Sequence, residues 1–577
     1  MAKNQSNQKV LLDGGNQIVL RQEHYLVTGG EASLYRVGGI IIKIYTDETK
    51  MRRDHMDDKI RLLMKLNHPY IVAPLGLVYD DRGNSIGYYM NYVQGEPFSR
   101  VFTNAFWQRN KFTVANVSTL VEKMRDLMIY VHSQGFSMVD PNEMNWLMVF
   151  NGKGNPEPRI IDVDSWSNAR WPAKVIMPSI RDWHSKDFGE MSDWFAWGVV
   201  TFQLYTGIHP YKGTLVNYKM SDLEQRMKDN ASVFSGGVRL NRAVRDFSKI
   251  PAVLLQWYEE VFQNGKRSIP PAPFATAVKP RSSVQSPMVI SPSTGALRLD
   301  KILSVRGDEL IKGFFCGVAL AQSGTLYEIF SGRKIGKASS SLVEIVQFAS
   351  GWLKVDVENG ELSFSYIDRT SLAEIALNFH LKQGACVSFE NRLFVLSSGL
   401  LAEVSLRFLS KPILFVKNNW QVLESATEMM FTCFVENVMG AKYLLIPFDE
   451  SSLAHLRVRE LDNVRVIQAR HGNRFVALTV LDKRGDYYSV ELVLSADCTS
   501  YSWKQELVDS PELNIVVLPK RVCAKIIEDS FLEIFVPGTD VCRKLEDSNI
   551  SGLMSLFNVG DKVCCLWHNE LYSLTMK

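Results

Sequence analysis

Asp140-Pro-Asn-Glu-Met-Asn145, followed at the end of an apolar run by Ile160-Ile161-Asp162, is the stretch on which the reading of this chain turns. An aspartate, an asparagine five residues on, and a second aspartate closing an apolar run are the polar groups that phosphoryl transfer requires. The first takes the proton of an attacking hydroxyl, and the other two present oxygen to magnesium beside the phosphates of a nucleotide. Magnesium is a hard ion that takes oxygen ligands and keeps several waters. One carboxylate and one amide therefore suffice when the nucleotide supplies the rest. The same spacing also describes a polar turn between two strands, so the surroundings decide.

Upstream, Val27-Thr28-Gly29-Gly30-Glu31 places two glycines in a turn between strands, where backbone N–H groups can approach phosphates. Ile40-Ile41-Ile42-Lys43 then sets a lysine at the end of an apolar strand, and Gly87-Tyr88-Tyr89-Met90-Asn91-Tyr92-Val93 is an apolar strand running into a turn. Residues 17–45 read as three strands with turns at Thr28-Gly29-Gly30 and Gly38-Gly39. Apolar residues at helical spacing predict helices over Met51–Leu66, Val117–His132, Asp193–Tyr205 and Val253–Phe262.

Composition excludes some classes. The chain is 46% apolar and 22% charged with a net charge of +3, which gives no electrostatic case for nucleic acid or an anionic membrane. No apolar stretch follows the polar start, and no run approaches the roughly 20 residues of a spanning helix, so a cytoplasmic chain is expected. All eight cysteines lie in the C-terminal half without a CxxC pair, which points to reduced thiols rather than disulfides or a zinc site.

Two composition shifts divide the chain into a tail over residues 1–19, a mixed α+β domain over 20–265, a Pro/Ser-rich linker over 266–296 and an all-β domain over 297–577. The linker carries Pro270, Pro271, Pro273, Pro280, Pro287 and Pro292, a composition that cannot bury a core. Its Ser282 and Ser283, beside Arg281, are phosphorylation candidates, with a bare tether as the plainer reading. In the last domain apolar strand groups begin near residues 313, 343, 385, 428, 465, 513 and 553. That pitch of about 40 residues is the size of a four-stranded blade, so a β-propeller of about seven blades is expected. A strand near Leu297–Leu303 is placed to complete the last blade, and a two-sheet sandwich or two smaller β domains is the alternative. Trp352, Trp420, Trp503 and Trp567 read as blade core, or as interface anchors.

Taken in order, the segments from residue 20 to 270 resemble a eukaryotic-type protein kinase domain. They are most similar to the bacterial group with Asp-x-Asp-Ser-aromatic in place of Asp-Phe-Gly, here Asp162-Val163-Asp164-Ser165-Trp166. The resemblance implies a bilobal α+β fold and an ATP- and Mg2+-dependent protein serine/threonine kinase. It makes Asp140 the catalytic base, Lys43 the α/β-phosphate ligand, and Asn145 and Asp162 the magnesium ligands. Gly29 and Gly30 become the phosphate-covering loop, Met90 the gatekeeper and Asn91 to Val93 the hinge for adenine. Leu34, Ile41 and Leu147 would sandwich the base, and Asp193 would brace the catalytic loop.

The departures are equally specific. Met138-Val139 replace the usual His-Arg, and Asn142 stands where a lysine would contact the γ-phosphate. Lys59 aligns with the helix glutamate expected to pair with Lys43, so either Asp57 or Asp58 substitutes or the pair is absent. Ile41 replaces a smaller residue, and Pro178-Ser179-Ile180 is the nearest match to the end of the activation segment. The all-β domain is expected to bind a protein substrate or regulator, with no nucleic acid or membrane partner. Two other readings are a pseudokinase scaffold acting through protein contacts and a small-molecule kinase of the aminoglycoside or choline type. The segment Asp193–Tyr211 speaks against the second.

Overall fold

The computed structural model describes residues 8–577 apart from 48, 153, 174, 242, 275–296, 304–308, 390, 432, 519–520, 529–530 and 568–569. Two bodies of different architecture follow one another along the chain. The first begins with a seven-stranded antiparallel sheet in the order 17–20, 8–12, 74–79, 85–91, 40–45, 32–37, 25–28. The expected N-terminal tail therefore carries the hairpin Gln8–Leu12/Gln17–Leu20, which extends this sheet. Val10 and Leu12 alternate into its core, and Asp13 ties the hairpin to Leu77 N–H and Tyr79 Oη at 2.9 Å each.

Behind the sheet, helix Val114–Ser133 starts at a capping box between Thr113 and Asn116, and helix Glu190–Thr206 ends at Gly207 with φ 79°. The second helix is apolar all round, and every residue from Ser192 to Thr206 is buried, as befits a central helix. Gly198 lets Trp257 of helix Ala252–Phe262 approach: a Cβ there would lie 3.0 Å from the indole. The helix expected over Met51–Leu66 is instead two, Lys50–Arg53 and Met56–Leu63, broken at His55 with φ 50°. The break frees the Asp54 carbonyl, which accepts Trp171 Nε1–H at 3.1 Å.

The second body is all-β. Seven four-stranded antiparallel sheets follow in succession, beginning at Ile311, Leu342, Ala385, Thr427, Arg465, Ile515 and Ser555. Each start lies within two residues of an apolar group read from the sequence. Hairpins are set by turn chemistry: Asn359 (φ 52°) and Gly360 (φ 81°) join Gly351–Glu358 to Glu361–Asp368, both in the left-handed region a two-residue turn demands. An apolar cluster lies between each neighbouring pair of sheets, and another joins the last sheet to the first through Phe557, Cys564, Leu566, Ile311 and Ala319. The sheets thus form a closed ring. Its fourth strand in the last sheet is Leu297–Leu303, paired with Glu570–Met576. Trp352 and Trp567 are core residues, and Trp420 and Trp503 pack half-buried against it. The described cysteines are all free thiols.

Two expectations are corrected. The described residues are mostly β, 43% strand and 18% helix with 8 helices among them, which does not fit a bilobal kinase fold with a helical C-terminal lobe. The predicted linker is also not uniform: Arg267 pairs with Asp182, and Arg125 donates to the Pro270 carbonyl at 2.8 Å. Residues 275–296, with Ser282 and Ser283, lie outside the described residues. No helix among the described residues is long and apolar enough to cross a membrane.

Leu297 is 1% exposed and packs with Leu545, Leu556 and Leu574 between the sixth and last sheets. Leu297→Ala should cost the ring about 2–5 kcal/mol in chemical denaturation. A loss below about 1 kcal/mol, the range of a surface change, would show that this strand does not clasp the ring.

Candidate functional site

Strand Ile40–Tyr45 carries Lys43 inward, 7% exposed, with Leu34 and Tyr88 as its neighbours across the strands. Its ammonium ion-pairs with the Asp162 carboxylate and bonds Asp164 Oδ1 at 2.8 Å. Asp164 collects further donors: Tyr88 Oη–H to Oδ1 at 2.7 Å, Tyr45 Oη–H to Oδ2 at 2.5 Å, and Lys59 Nζ to its backbone carbonyl at 2.6 Å. Burial would push the Asp164 carboxyl up, but Lys43 and the two phenols outweigh it and hold the group well below the usual range. Burial likewise drags on the Lys43 ammonium, and the two carboxylates more than restore it. At Asp162 partial desolvation, together with the neighbouring Asp164 carboxylate, raises the carboxyl despite Lys43.

This arrangement answers the question left by the Lys59 departure. Asp57 accepts from Ser85 Oγ at 2.8 Å, and Asp58 pairs with Arg170 at the surface, so neither serves Lys43. The carboxylate comes from Asp164 instead. Lys59 supports it from helix Met56–Leu63, buried, through the backbone. The sequence signal for this was the second acid of Asp162-Val163-Asp164. A short 3₁₀ turn over Val163–Ser165 brings both acids to one lysine, with Asp162 itself left-handed at φ 61°, ψ 37°.

The Asp140 loop is held from below. Asp193, fully buried near the start of helix Glu190–Thr206, accepts Met138 N–H at 2.7 Å, Val139 N–H at 2.9 Å and His132 Nε2 at 2.9 Å. Val139 sits at φ 66°, a region a β-branched residue rarely adopts, so the aspartate fixes a strained backbone just before Asp140. Met138 and Val139, in the places expected for His-Arg, are core residues. Asn145 Nδ2 donates to the Asp140 carbonyl at 2.9 Å, and Ile161 N–H to the Asn145 carbonyl at 2.9 Å, so the loop and the Asp162 strand share a seam.

The Asp140 carboxylate itself accepts Met177 N–H at 3.0 Å on one oxygen and Asn142 Nδ2–H at 3.0 Å on the other. Burial raises its pKa, and those two bonds offset this in part. Asn142, 4% exposed, also caps Met144 N–H at 2.8 Å, so it organises the loop. Beyond Pro178–Ile180, Asp182 takes a bidentate grip from Arg267 at 2.6 and 2.7 Å, an anchor the sequence reading had placed in the linker.

The remaining expected residues lie on the strands and turns that flank these groups. Ile41 and Met90 are cross-strand partners and buried, and Leu34 and Val93 pack against that core. Asn91 is exposed opposite Ile40, and Tyr92 N–H donates to the Gly39 carbonyl. Leu147 lies on strand Trp146–Phe150 beneath Gly95, where a Cβ would meet it at 3.2 Å. Gly29 and Gly30 occupy the turn between Tyr25–Thr28 and Ala32–Val37; Gly29 N–H donates to the Ala32 carbonyl at 2.9 Å, and Gly30 has open space around it. Among the described residues no group of three or more His, Cys, Asp or Glu forms a self-contained metal centre.

Comparison with known proteins finds no matching family model and no matching curated protein. Together with the strand-dominated architecture, this overturns assignment of the chain to the protein kinase family. Lys43, Asp162 and Asp164 nonetheless stand together, with Asn145 and Asp140 joined to them through the seam at Ile161.

Asp164→Asn removes a buried partner of Lys43, and should lower the stability of the N-terminal body by about 3–5 kcal/mol in chemical denaturation. Asp57→Asn and Asp58→Asn should each cost less than about 1 kcal/mol. Equal losses in all three variants would refute Asp164 as the partner.

Proposed function

We propose that the N-terminal body is an ATP- and Mg2+-dependent phosphotransferase that delivers a γ-phosphate to a serine or threonine hydroxyl of a protein. The ring, read as a seven-bladed propeller, handles the acceptor or a regulator. The observation that carries this is the juxtaposition of Lys43 with Asp162 and of Asn145 with Asp140, the two pairs joined where Ile161 N–H meets the Asn145 carbonyl. Phosphoryl transfer depends on positioning and on charge placed where it develops, and these residues supply both.

The residues fit the cofactors the reading requires. Asp162 offers a carboxylate that is 41% exposed, and Asn145, its N–H spent on Asp140, keeps an amide oxygen as ligand atom. A magnesium ion with bound nucleotide supplies charge neutralisation on the phosphates. Lys43 offers a cation for the α/β-phosphates; Gly29 N–H closes the turn on the Ala32 carbonyl at 2.9 Å, which leaves the open space at Gly30 for a phosphate to approach. Asp140, in the loop braced by Asp193, is the group to accept the hydroxyl proton.

A second reading, a nucleotide-binding scaffold without turnover, draws on two observations: Asn142 stands where a cation would help, and both Asp140 oxygens are engaged by the protein.

Lys43→Ala and Asp162→Ala should each lower transfer from γ-labelled ATP by roughly 100-fold or more, the scale of losing one preorganised charge. Asp140→Asn should do the same with Mg-ATP affinity kept. Full activity in the first two variants would end the phosphotransferase reading. A thermal shift by Mg-ATP with no ADP formed in the unaltered chain would select the scaffold.

A further inference from the structure

The ring covers the face of the N-terminal body that carries Asp140. Its contact there is the turn Asp482–Asp486 of the fifth sheet, between Phe475–Leu481 and Tyr487–Leu494. Gly485 lies at φ +86°, and a Cβ on it would fall 1.9 Å from Ser179 Oγ and 3.1 Å from Met177 Sδ. Asp486 stands 3.7 Å from the ammonium of Lys212, which is 3% exposed. Tyr487 donates its hydroxyl to Glu143 Oε1 at 3.3 Å, and its ring packs with Met144, Ile467 and Leu481. Three consecutive ring residues thus touch the Asp140 loop, the segment 177–179 and the stretch after the central helix. That segment is the one whose Met177 N–H occupies the Asp140 carboxylate.

The join is tight in shape yet poorly satisfied. Glu143 Oε2 and Ser179 Oγ are buried there with no hydrogen-bond partner among the described residues, and buried Lys212 Nζ has none beyond the 3.7 Å approach of Asp486. Buried polar atoms of a permanent core are almost all bonded. Two unbonded atoms and a loosely held ammonium at one join mark a contact that water or a better-matched segment can replace. Its charges are directed: Lys212 faces Asp486, and both Lys212 and Arg226 lie in the field of Asp509.

We infer that this face is the acceptor-docking surface of the N-terminal body, with the ring's Gly485-Asp486-Tyr487 turn as its resident and displaceable occupant. The partner it fits is a polypeptide segment presenting a small residue, a carboxylate and an aromatic ring in succession. The carboxylate meets Lys212 and the ring fills the pocket beside Met144. While the turn is seated, segment 177–179 stays pressed over Asp140 and the acceptor hydroxyl is kept out. This rests on the phosphotransferase reading.

The test uses the full chain, Mg-ATP and casein as a serine-bearing acidic acceptor. Gly485→Val wedges the turn away from Ser179, and Asp486→Lys sets like charges against Lys212. Each should raise the initial transfer rate about tenfold at unchanged Mg-ATP affinity, the size of a modest population shift toward the open form. Each should also speed amide hydrogen exchange over residues 140–145 and 176–182. Tyr487→Phe, which removes one hydroxyl and leaves the packing, should give a smaller rise and serves where the wedge unfolds the ring. Unchanged or lower rates in these variants, with nucleotide binding intact, would overturn the inference and leave the phosphotransferase reading standing. Failure of the unaltered chain to bind Mg-ATP is a different result, and removes the reading beneath it.

Discussion

The buried carboxylate of Asp164 is the constraint around which the N-terminal body is organised. Burying an unpaired charge is prohibitive, so the chain surrounds it with donors drawn from separate elements. Lys43 and Tyr45 come from one strand, Tyr88 from the next, and Lys59 from a helix behind them. Because Asp164 lies two residues from Asp162, the same turn that secures the lysine also places the outward-facing acid. In a site where lysine and helix carboxylate form a separable pair, a swing of the helix disconnects them. Here the carboxylate travels with the turn, and the helix contributes a lysine to the backbone, so sheet, helix and acid turn are coupled as one unit.

Asp193 plays the matching part on the other side of the cleft. Its buried carboxylate holds two successive N–H groups and thereby keeps Val139 in a conformation its side chain resists. The apolar pair Met138-Val139 can replace polar residues here because the backbone, rather than a side chain, is what Asp193 grips. The Asp162 turn and the Asp140 loop are thus each held in place by a buried acid, Asp164 and Asp193.

What could be read from the sequence divides along physical lines. The β half was legible almost sheet by sheet, because each sheet must bury an apolar strand group and turn at glycine or asparagine, and both signals are local. Leu297–Leu303 was legible for the same reason: an edge left open in the last sheet needs a partner. The residues in contact with Asp164 were not legible, since Tyr45, Tyr88 and Lys59 are separated from it by 76 residues or more and only folding joins them. The helix break at His55 and the hairpin in the presumed tail were missed because the deciding contacts, Trp171 to Asp54 and Asp13 to Tyr79, are likewise remote. Motif order suggested a family that neither the comparisons nor the mostly-β architecture supports. Spacing records which groups a chemistry needs, and that requirement is narrower than a fold.

The clasp between Leu297–Leu303 and Glu570–Met576 also imposes an order on assembly. The strand that completes the last sheet leaves the ribosome before any of the other ring sheets and must wait for the final one. Throughout synthesis of the intervening residues the first sheet lacks its neighbour, and two strand edges stay open. The N-terminal body, whose contacts are complete by Pro270, has no such wait. A nascent chain therefore passes through a stage in which the cleft is built and the ring is not, with the face that the ring will cover open to solvent.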